Sequence, residues 1–116
     1  MATITYTVTV ASGTNQYGTG NKFYINGEVS PVLYLQEGNT YIFDQSDSSN
    51  AVGGTHILAF STNPNNSPAA AYTTGVTTTG TPGTAGAKTT IVVAPVRTTG
   101  APLLFYYCTA HSGMGN

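Results

Sequence analysis

Residues 105–116 read Phe-Tyr-Tyr-Cys-Thr-Ala-His-Ser-Gly-Met-Gly-Asn, an apolar run followed by a short polar loop. Within this segment Cys108, His111 and Met114 recur at every third residue. A thiolate, an imidazole and a thioether suit soft metal ions, and electron-transfer copper sites combine two His and one Cys with a weak axial Met. The pattern therefore predicts a metal-binding loop that needs a second histidine from elsewhere in the chain.

That histidine is His56, in the segment Gly-Gly-Thr-His-Ile-Leu-Ala-Phe. The chain has two His, one Cys and two Met, one of which is Met1. Every other residue of these three types fits the proposed site. We therefore predict that four side chains converge on one ion: His56, Cys108, His111 and Met114.

The hydrophobic pattern predicts strands and no helix. Residues 3–10 alternate strictly: Thr occupies every odd position on one face, and Ile4, Tyr6, Val8 and Val10 lie on the other. This alternation is typical of a half-buried strand. Further strands are predicted at residues 22–25, 32–35, 40–43, 55–61, 89–94 and 103–108. Short strands separated by turns indicate one all-β domain over residues 1–116, folded as an antiparallel two-sheet sandwich. His56 would share the inward face of its strand with Leu58 and Phe60.

The connections carry several turn signals. Asn26-Gly27 predicts a tight hairpin. Residues 61–86 form a long Thr/Gly-rich loop, and loops of this length are often functional or face a partner. Residues 95–102 are expected to be a connector. Asp44 and Asp47 fit either turns closed by their own side chains or a calcium loop, and we favour the turns.

Charge is scarce, since 6% of the residues are charged and the formal net charge is −1. Such a chain has no electrostatic footprint for nucleic acid or for an anionic membrane. Residues 2–10 alternate rather than forming an apolar run, so we expect neither a signal peptide nor a membrane anchor. A net charge near zero favours association, which suits a subunit fixed in an assembly.

The ending Tyr-Tyr-Cys-x-x-His-x-x-Met resembles the ligand loop of the cupredoxins, small blue-copper proteins such as amicyanin. The upstream His56 matches the first ligand of that family. The resemblance implies a Greek-key cupredoxin-like sandwich with copper as cofactor. It also implies that His56, Cys108 and His111 are equatorial ligands and that Met114 is axial.

A second resemblance is carried by residues 40–50, 55–61, 72–77, 80–86 and 106–115. These blocks are similar to cupredoxin-like modules in structural proteins of marine and cyanobacterial phages. The resemblance implies a virion structural protein, such as a capsid decoration (cement) protein or a tail-associated subunit. It would be assembled in the host cytoplasm, with other virion proteins or copies of itself as partners. The metal would then staple the C-terminal tail to the strand of His56, because a site formed only in the folded state adds its binding energy to stability.

Other interpretations of the ligand set remain open. A type 1 copper electron carrier would use the same residues, although carriers often dock through charged patches and this chain has few charges. A vestigial site would keep the geometry without metal. Zinc accepts His and thiolate, but structural zinc seldom takes Met. A Cys–His nucleophile pair needs a third group to orient the imidazole, and since none stands out we expect no enzymatic activity.

Overall fold

The computed structural model describes residues 2–94 and 104–116. Nine strands are present in this part of the chain: β1 (Thr3–Asn15), β2 (Gly18–Ile25), β3 (Glu28–Val29), β4 (Thr40–Asp44), β5 (Leu58–Ser61), β6 (Ala71–Tyr72), β7 (Val76–Thr79), β8 (Lys88–Val92) and β9 (Phe105–Cys108). They form a six-stranded sheet in the order β3-β2-β1-β4-β8-β7 and a three-stranded sheet in the order β6-β5-β9. The prediction of an all-β fold with two sheets is confirmed.

The alternation of β1 sets its orientation. Val8 and Val10 are buried, whereas Thr3, Thr5 and Thr7 are exposed, as a period of two requires. The core contains buried apolar side chains from both sheets: Val8, Phe23, Phe43 and Ile91 from the larger, and Leu58, Phe60 and Tyr106 from the smaller. The rings of Phe43 and Phe60 meet edge to face with centroids 5.4 Å apart, which joins the two sheets.

One strand pair departs from the expected antiparallel arrangement. β1 and β4 run parallel, with Thr3 opposite Thr40 and Thr7 opposite Asp44. Parallel neighbours need a long crossover connection, and β2, β3 and residues 30–39 supply it. The prediction of a wholly antiparallel sandwich is therefore wrong for this pair, while the other described pairs are antiparallel.

Residues 32–35 were expected to be a strand and are not. They alternate in exposure, with Val32 61% and Tyr34 82% exposed, but no neighbouring strand pairs with them. The chain leaves the sheet just before them, at Ser30, which has a positive φ of 42°, and at Pro31, which has no N–H to donate. The alternating hydrophobic pattern therefore predicted the exposure of these residues correctly, but its prediction of a strand was wrong.

Other boundaries also differ from the predictions. The strand expected at 22–25 begins at Gly18, and His56 lies just before β5 rather than in it. Residues 61–86, expected to be one loop, contain a short 3-10 helix (Pro64–Asn66) and the strands β6 and β7. β-branched Thr and Val explain β7. The connector predicted at 95–102 lies outside the described residues.

The turn predictions are better supported. Asn26 and Gly27 have φ values of 50° and 86°, the positive angles that a two-residue type I′ hairpin requires. The carboxylate of Asp44 accepts hydrogen bonds from the backbone N–H and hydroxyl of Ser46, and that of Asp47 accepts the same pair from Ser49. Both carboxylates therefore close turns, as the favoured interpretation predicted. No helix within the described residues is long and apolar enough to cross a membrane.

The hydrogen bonds to Asp44 make the stability of the fold sensitive to acid. Those from Ser46 lower the pKa of Asp44 below its ordinary value of 3.8. A carboxyl group whose pKa is lower in the folded state than in the unfolded state stabilises the protein at pH values above its unfolded-state pKa. This stabilisation is lost as the pH falls through the folded-state pKa. We expect Asp44→Asn to lose less stability than the parent chain between pH 5 and pH 2, measured by urea unfolding. An equal loss in both proteins would contradict this role of Asp44.

Candidate metal centre

The pairing of β5 with β9 brings the two halves of the site together. In their register Leu58 lies opposite Cys108. His56 comes two residues before Leu58, and the loop with His111 begins directly after Cys108. The strand register therefore sets the distance between the mid-chain histidine and the terminal loop.

Three of the four predicted ligands meet at this point. The Nδ1 atom of His56 lies 3.5 Å from the Sγ atom of Cys108 and 3.2 Å from Nδ1 of His111, and Sγ lies 3.9 Å from Nδ1 of His111. Among the described residues this is the one cluster of His, Cys, Asp or Glu that could hold a metal ion.

The size of this triangle suits a metal ion. The point equidistant from the three donor atoms lies about 2.1 Å from each, close to the metal–nitrogen bonds of about 2.0–2.1 Å and the metal–sulfur bonds of about 2.3 Å in zinc proteins. Without an ion, these three atoms can be joined only by hydrogen bonds, and only one thiol and one imidazole N–H are available to donate them. A soft transition-metal ion would satisfy all three at once.

The hydrogen bond on the far side of His56 fixes its tautomer. Its Nε2 atom lies 2.7 Å from the carbonyl oxygen of Val52, which can only accept, so Nε2 carries the proton. In the neutral ring Nδ1 is then a lone-pair donor, and it faces Cys108 and His111. A hydrogen-bonded far nitrogen of this kind orients metal-ligating histidines and raises their basicity.

Comparison of the chain with protein-family models, with curated proteins and with solved structures found no match. What the site binds is therefore inferred from its donor atoms and from the elements that hold them.

A buried amide network holds the backbone of His56 in place. The side chain of Gln45 donates to the carbonyl oxygen of His56 at 2.5 Å and to Asn50 at 3.0 Å, and it accepts from the N–H of Leu58 at 3.0 Å. The side chain of Asn50 in turn donates to the backbone carbonyl oxygen of Val8. The backbone carbonyl oxygen of Asn50 accepts a hydrogen bond from the N–H of His56. Both amides are buried, so the peptide groups on either side of the histidine have fixed partners.

Gln45→Ala is expected to lower the free energy of unfolding by about 2 kcal/mol, because the buried carbonyl of His56 and N–H of Leu58 lose their partner. Any affinity of the candidate site for a metal ion should fall as well, since His56 is then less well held. Gln16→Ala is the matched control, because Gln16 is exposed in the turn between β1 and β2. Equal unfolding free energies for the two variants, measured by urea denaturation, would refute this role of Gln45.

The thiol of Cys108 is buried, with 4% of the residue exposed. Burial raises the pKa of this thiol above its ordinary value, and hydrogen bonds from the backbone N–H groups of Ala110 and His111 offset only part of that rise. These amide dipoles point at the sulfur and favour the thiolate, the form that binds metal. The loop after Cys108 thus supplies both a ligand and the hydrogen bonds that would tune a metal–sulfur bond.

His111 is the exposed member of the group. Its ring is tilted by 50° to that of His56, with centroids 4.8 Å apart. Gly54 lies against it, and a Cβ at Gly54 would be 3.3 Å from Cε1 of His111. The candidate ion would therefore sit near the surface, with one imidazole between it and solvent.

The fourth predicted ligand, Met114, is buried, with 2% of the residue exposed. It lines the same cavity as His56 and His111. Its backbone carbonyl accepts hydrogen bonds from the N–H of Phe23 and the hydroxyl of Ser30. The role of its sulfur as an axial ligand stays a prediction.

Residues 113–116, which we call the terminal segment, are buried and held by hydrogen bonds. Asn15 and Lys22 donate to the carbonyl oxygen of Gly113, and Asn65 accepts its N–H. Asn116 exchanges two hydrogen bonds with the backbone of Tyr106. The loop of His111 is thus fixed at both ends by protein contacts: β9 before it and the terminal segment after it.

The sequence pattern did not single out the residues that hold these ligands. Gln45, Asn15, Lys22 and Asn65 are polar residues from separate parts of the chain, and no spacing rule links them to residues 108–114. One weak signal was available: Lys22 is one of three Lys and Arg residues in the chain, and it lies in a predicted strand next to Phe23. Only the folded structure shows that its ammonium reaches the terminal segment.

Proposed function

We propose that this chain is a structural subunit of a phage virion whose cupredoxin-like sandwich binds a single copper ion. The observation that carries the metal-binding half is the convergence of two imidazole nitrogens and one cysteine sulfur around a point about 2.1 Å from each. Copper is favoured over zinc because structural zinc takes four Cys or His ligands, whereas two His, one Cys and a Met on the wall of the same cavity suit copper.

The connectivity supports the cupredoxin-like, Greek-key part of this proposal. β1 pairs with β2 on one side and with the parallel β4 on the other, and β8 follows β4 in the sheet. The first candidate ligand precedes β5, while Cys108 ends its neighbour β9 and the others lie in the chain that follows. A rigid sandwich thus supplies one ligand from mid-chain and the rest from a terminal loop, as the sequence resemblance implies.

The structural role is supported by the low charge and by the firmly held terminal segment. With 6% charged residues, the chain offers little steering for transient docking, and near-neutral proteins associate readily. A copper ion would link the end of β9 and the loop of His111 to the residues before β5. The metal would therefore reinforce the attachment of the terminal segment, which hydrogen bonds already hold in place.

Copper binding is tested by titrating the reduced, metal-free protein with Cu(II) and recording visible absorption and electron paramagnetic resonance. We expect one equivalent to bind and to produce an intense thiolate-to-copper charge-transfer band. Binding of one equivalent of Zn(II) in preference, with no such band under Cu(II), would reject copper as the metal.

The virion assignment has its own test. Purified phage particles encoding this chain should contain it in a fixed ratio to the major capsid or tail protein, measured by quantitative mass spectrometry. Cryo-electron microscopy should then show it at symmetry-related positions. Its presence only in the soluble fraction of infected cells would reject the structural role.

Removal of the metal is expected to weaken the fold without unfolding it. The terminal segment keeps its hydrogen bonds, so the metal-free protein should give native-like circular dichroism. Bound copper adds about 2.7 kcal/mol when its free concentration is 100 times Kd. Thermal melts before and after chelation should therefore differ by several degrees, and an unfolded metal-free chain would contradict this account.

One observation favours a second function, that of a type 1 copper electron carrier. His111 is exposed, so its imidazole would give electrons a short path to the surface. An apolar rim of Ala110 and Met114 around that histidine would strengthen the case for a carrier, but Met114 is buried and the cavity beside His111 is lined mainly by polar residues. Rapid, reversible reduction by a soluble partner protein would favour the carrier.

A further inference from the structure

The cavity beside the candidate metal centre contains an unusual cation. Its volume is about 460 Å³, and it is lined by His56, His111 and Met114 on one side and by Lys22, Asn21 and Asn65 on the other. Lys22 is one of three Lys and Arg residues in the chain. Its side chain is buried, with only 4% of the residue exposed.

Within the described part of the chain, the ammonium group of Lys22 has one hydrogen-bond partner. It donates, at 2.8 Å, to the carbonyl oxygen of Gly113. An ammonium group has three N–H donors, and none of the residues lining this cavity is acidic. Burial lowers the pKa of Lys22. When protonated, Lys22 places a positive charge on the wall of a cavity whose lining residues include no acid, so the cavity favours an anion.

The metal would add to this positive charge. A Cu(II) ion bound by one thiolate and two neutral imidazoles leaves a net charge of about +1 at the centre, beside the charge of Lys22. The structure supplies three donors around the ion, and Met, where it binds copper, is a weak ligand. A small anion in the cavity would neutralise charge and could complete the coordination.

We propose that this cavity binds a small monovalent inorganic anion, held by the Lys22 ammonium and placed next to the candidate metal centre. The cavity has room for such an ion together with several waters, since each water occupies about 30 Å³. Capture of the anion by Lys22 depends only on the cavity. Its coordination to copper rests on the proposed function.

Azide is the probe for both parts. In the first experiment, metal-free ¹⁵N-labelled protein is titrated with sodium azide at constant ionic strength. We expect saturable shifts of the amide signals of Gly113 and Met114. Absence of saturable shifts at cavity residues would overturn the proposal whatever the variants do.

Variants then assign the anion to Lys22. Lys22→Met should weaken azide binding by about tenfold or more, because it removes the charged group that would donate a hydrogen bond to the anion. Lys22→Arg keeps the charge and should retain affinity within about threefold. Lys88→Met removes the same charge at an exposed position and is the matched control. Equal azide affinity in Lys22→Met and Lys88→Met would overturn the role of Lys22.

The second experiment adds azide to copper-loaded protein. We expect a new azide-to-copper absorption band that is lost in Lys22→Met. If azide binds the metal-free cavity but leaves the copper spectrum unchanged, coordination to the metal is rejected and the anion site stands. If the protein takes up no copper, the proposed function fails, and the metal-free titration still decides the anion site.

Discussion

Replacing Cys108 with Ser is expected to abolish the visible thiolate–copper band and to weaken copper binding by about 1,000-fold or more. Changes to groups that only orient a ligand typically cost about 10- to 100-fold, and the thiolate is itself the strongest donor of the three. Serine has nearly the same size and the residue is buried, so the fold should persist. Isothermal titration with Cu(II) and absorption spectroscopy measure the two effects.

Met114→Leu is the informative comparison for this variant. Leucine preserves the buried volume, and an axial thioether is a weak ligand, so copper should bind within about tenfold of the parent affinity and keep an altered visible band. Copper affinity unchanged in Cys108→Ser would show that the ion binds elsewhere. Loss of the band in Met114→Leu would instead make the thioether a principal ligand.

Replacing Gly115 with Ala is expected to lower the free energy of unfolding by about 3 kcal/mol, because the new methyl group would overlap the backbone carbonyl of Tyr106. That carbonyl also accepts the N–H of Asn116, so neither backbone can move aside without losing a hydrogen bond. The terminal segment should detach, and copper affinity should fall because His111 is then held from one side only. Urea unfolding and copper titration provide the measurements.

Gly86→Ala is the matched control for steric overlap. Gly86 has a φ of 83°, so alanine is strained there, but no atom lies within 4 Å of the added methyl group. This variant should lose about 1 kcal/mol from backbone strain and bind copper normally. If Gly115→Ala were no less stable than Gly86→Ala, the close packing of the terminal segment on β9 would be refuted.

The fold class could be predicted from the sequence because alternation is a local property. The strict period of residues 3–10 fixed the buried face of β1, and Asn26-Gly27 fixed a hairpin. Strand pairing is not local. Residues 32–35 carry the same alternation as a strand, yet they follow a positive φ at Ser30 and find no partner. The parallel pairing of β1 with β4 depends on a crossover that no single segment encodes.

The candidate site divides in the same way. Cys108 and His111 could be predicted as neighbours because two intervening residues restrict their separation. His56 was assigned by composition, and the register of β5 against β9 places it beside them. Lys22 and Gln45 could not be predicted, since their roles come from hydrogen bonds to backbone atoms far away in sequence.

The position of these supporting residues suggests how the site works. Val52, Gln45 and the terminal segment hold the histidines and the thiolate near their metal-binding geometry without the metal. A preorganised site loses little conformational entropy on binding and resists rearrangement when the ion changes oxidation state. Rigidity of this kind serves a structural staple and an electron carrier equally, so the tests of location and redox partner above decide between them.

If copper binds as proposed, one ion lies between His56 on one side and Cys108 and His111 on the other. A crystal structure of copper-loaded protein, with anomalous diffraction measured at the copper absorption edge, would locate it. We expect a single anomalous peak bonded to Nδ1 of His56, Sγ of Cys108 and Nδ1 of His111. A peak bonded to other atoms, or no peak in a protein loaded with one equivalent of copper, would contradict it.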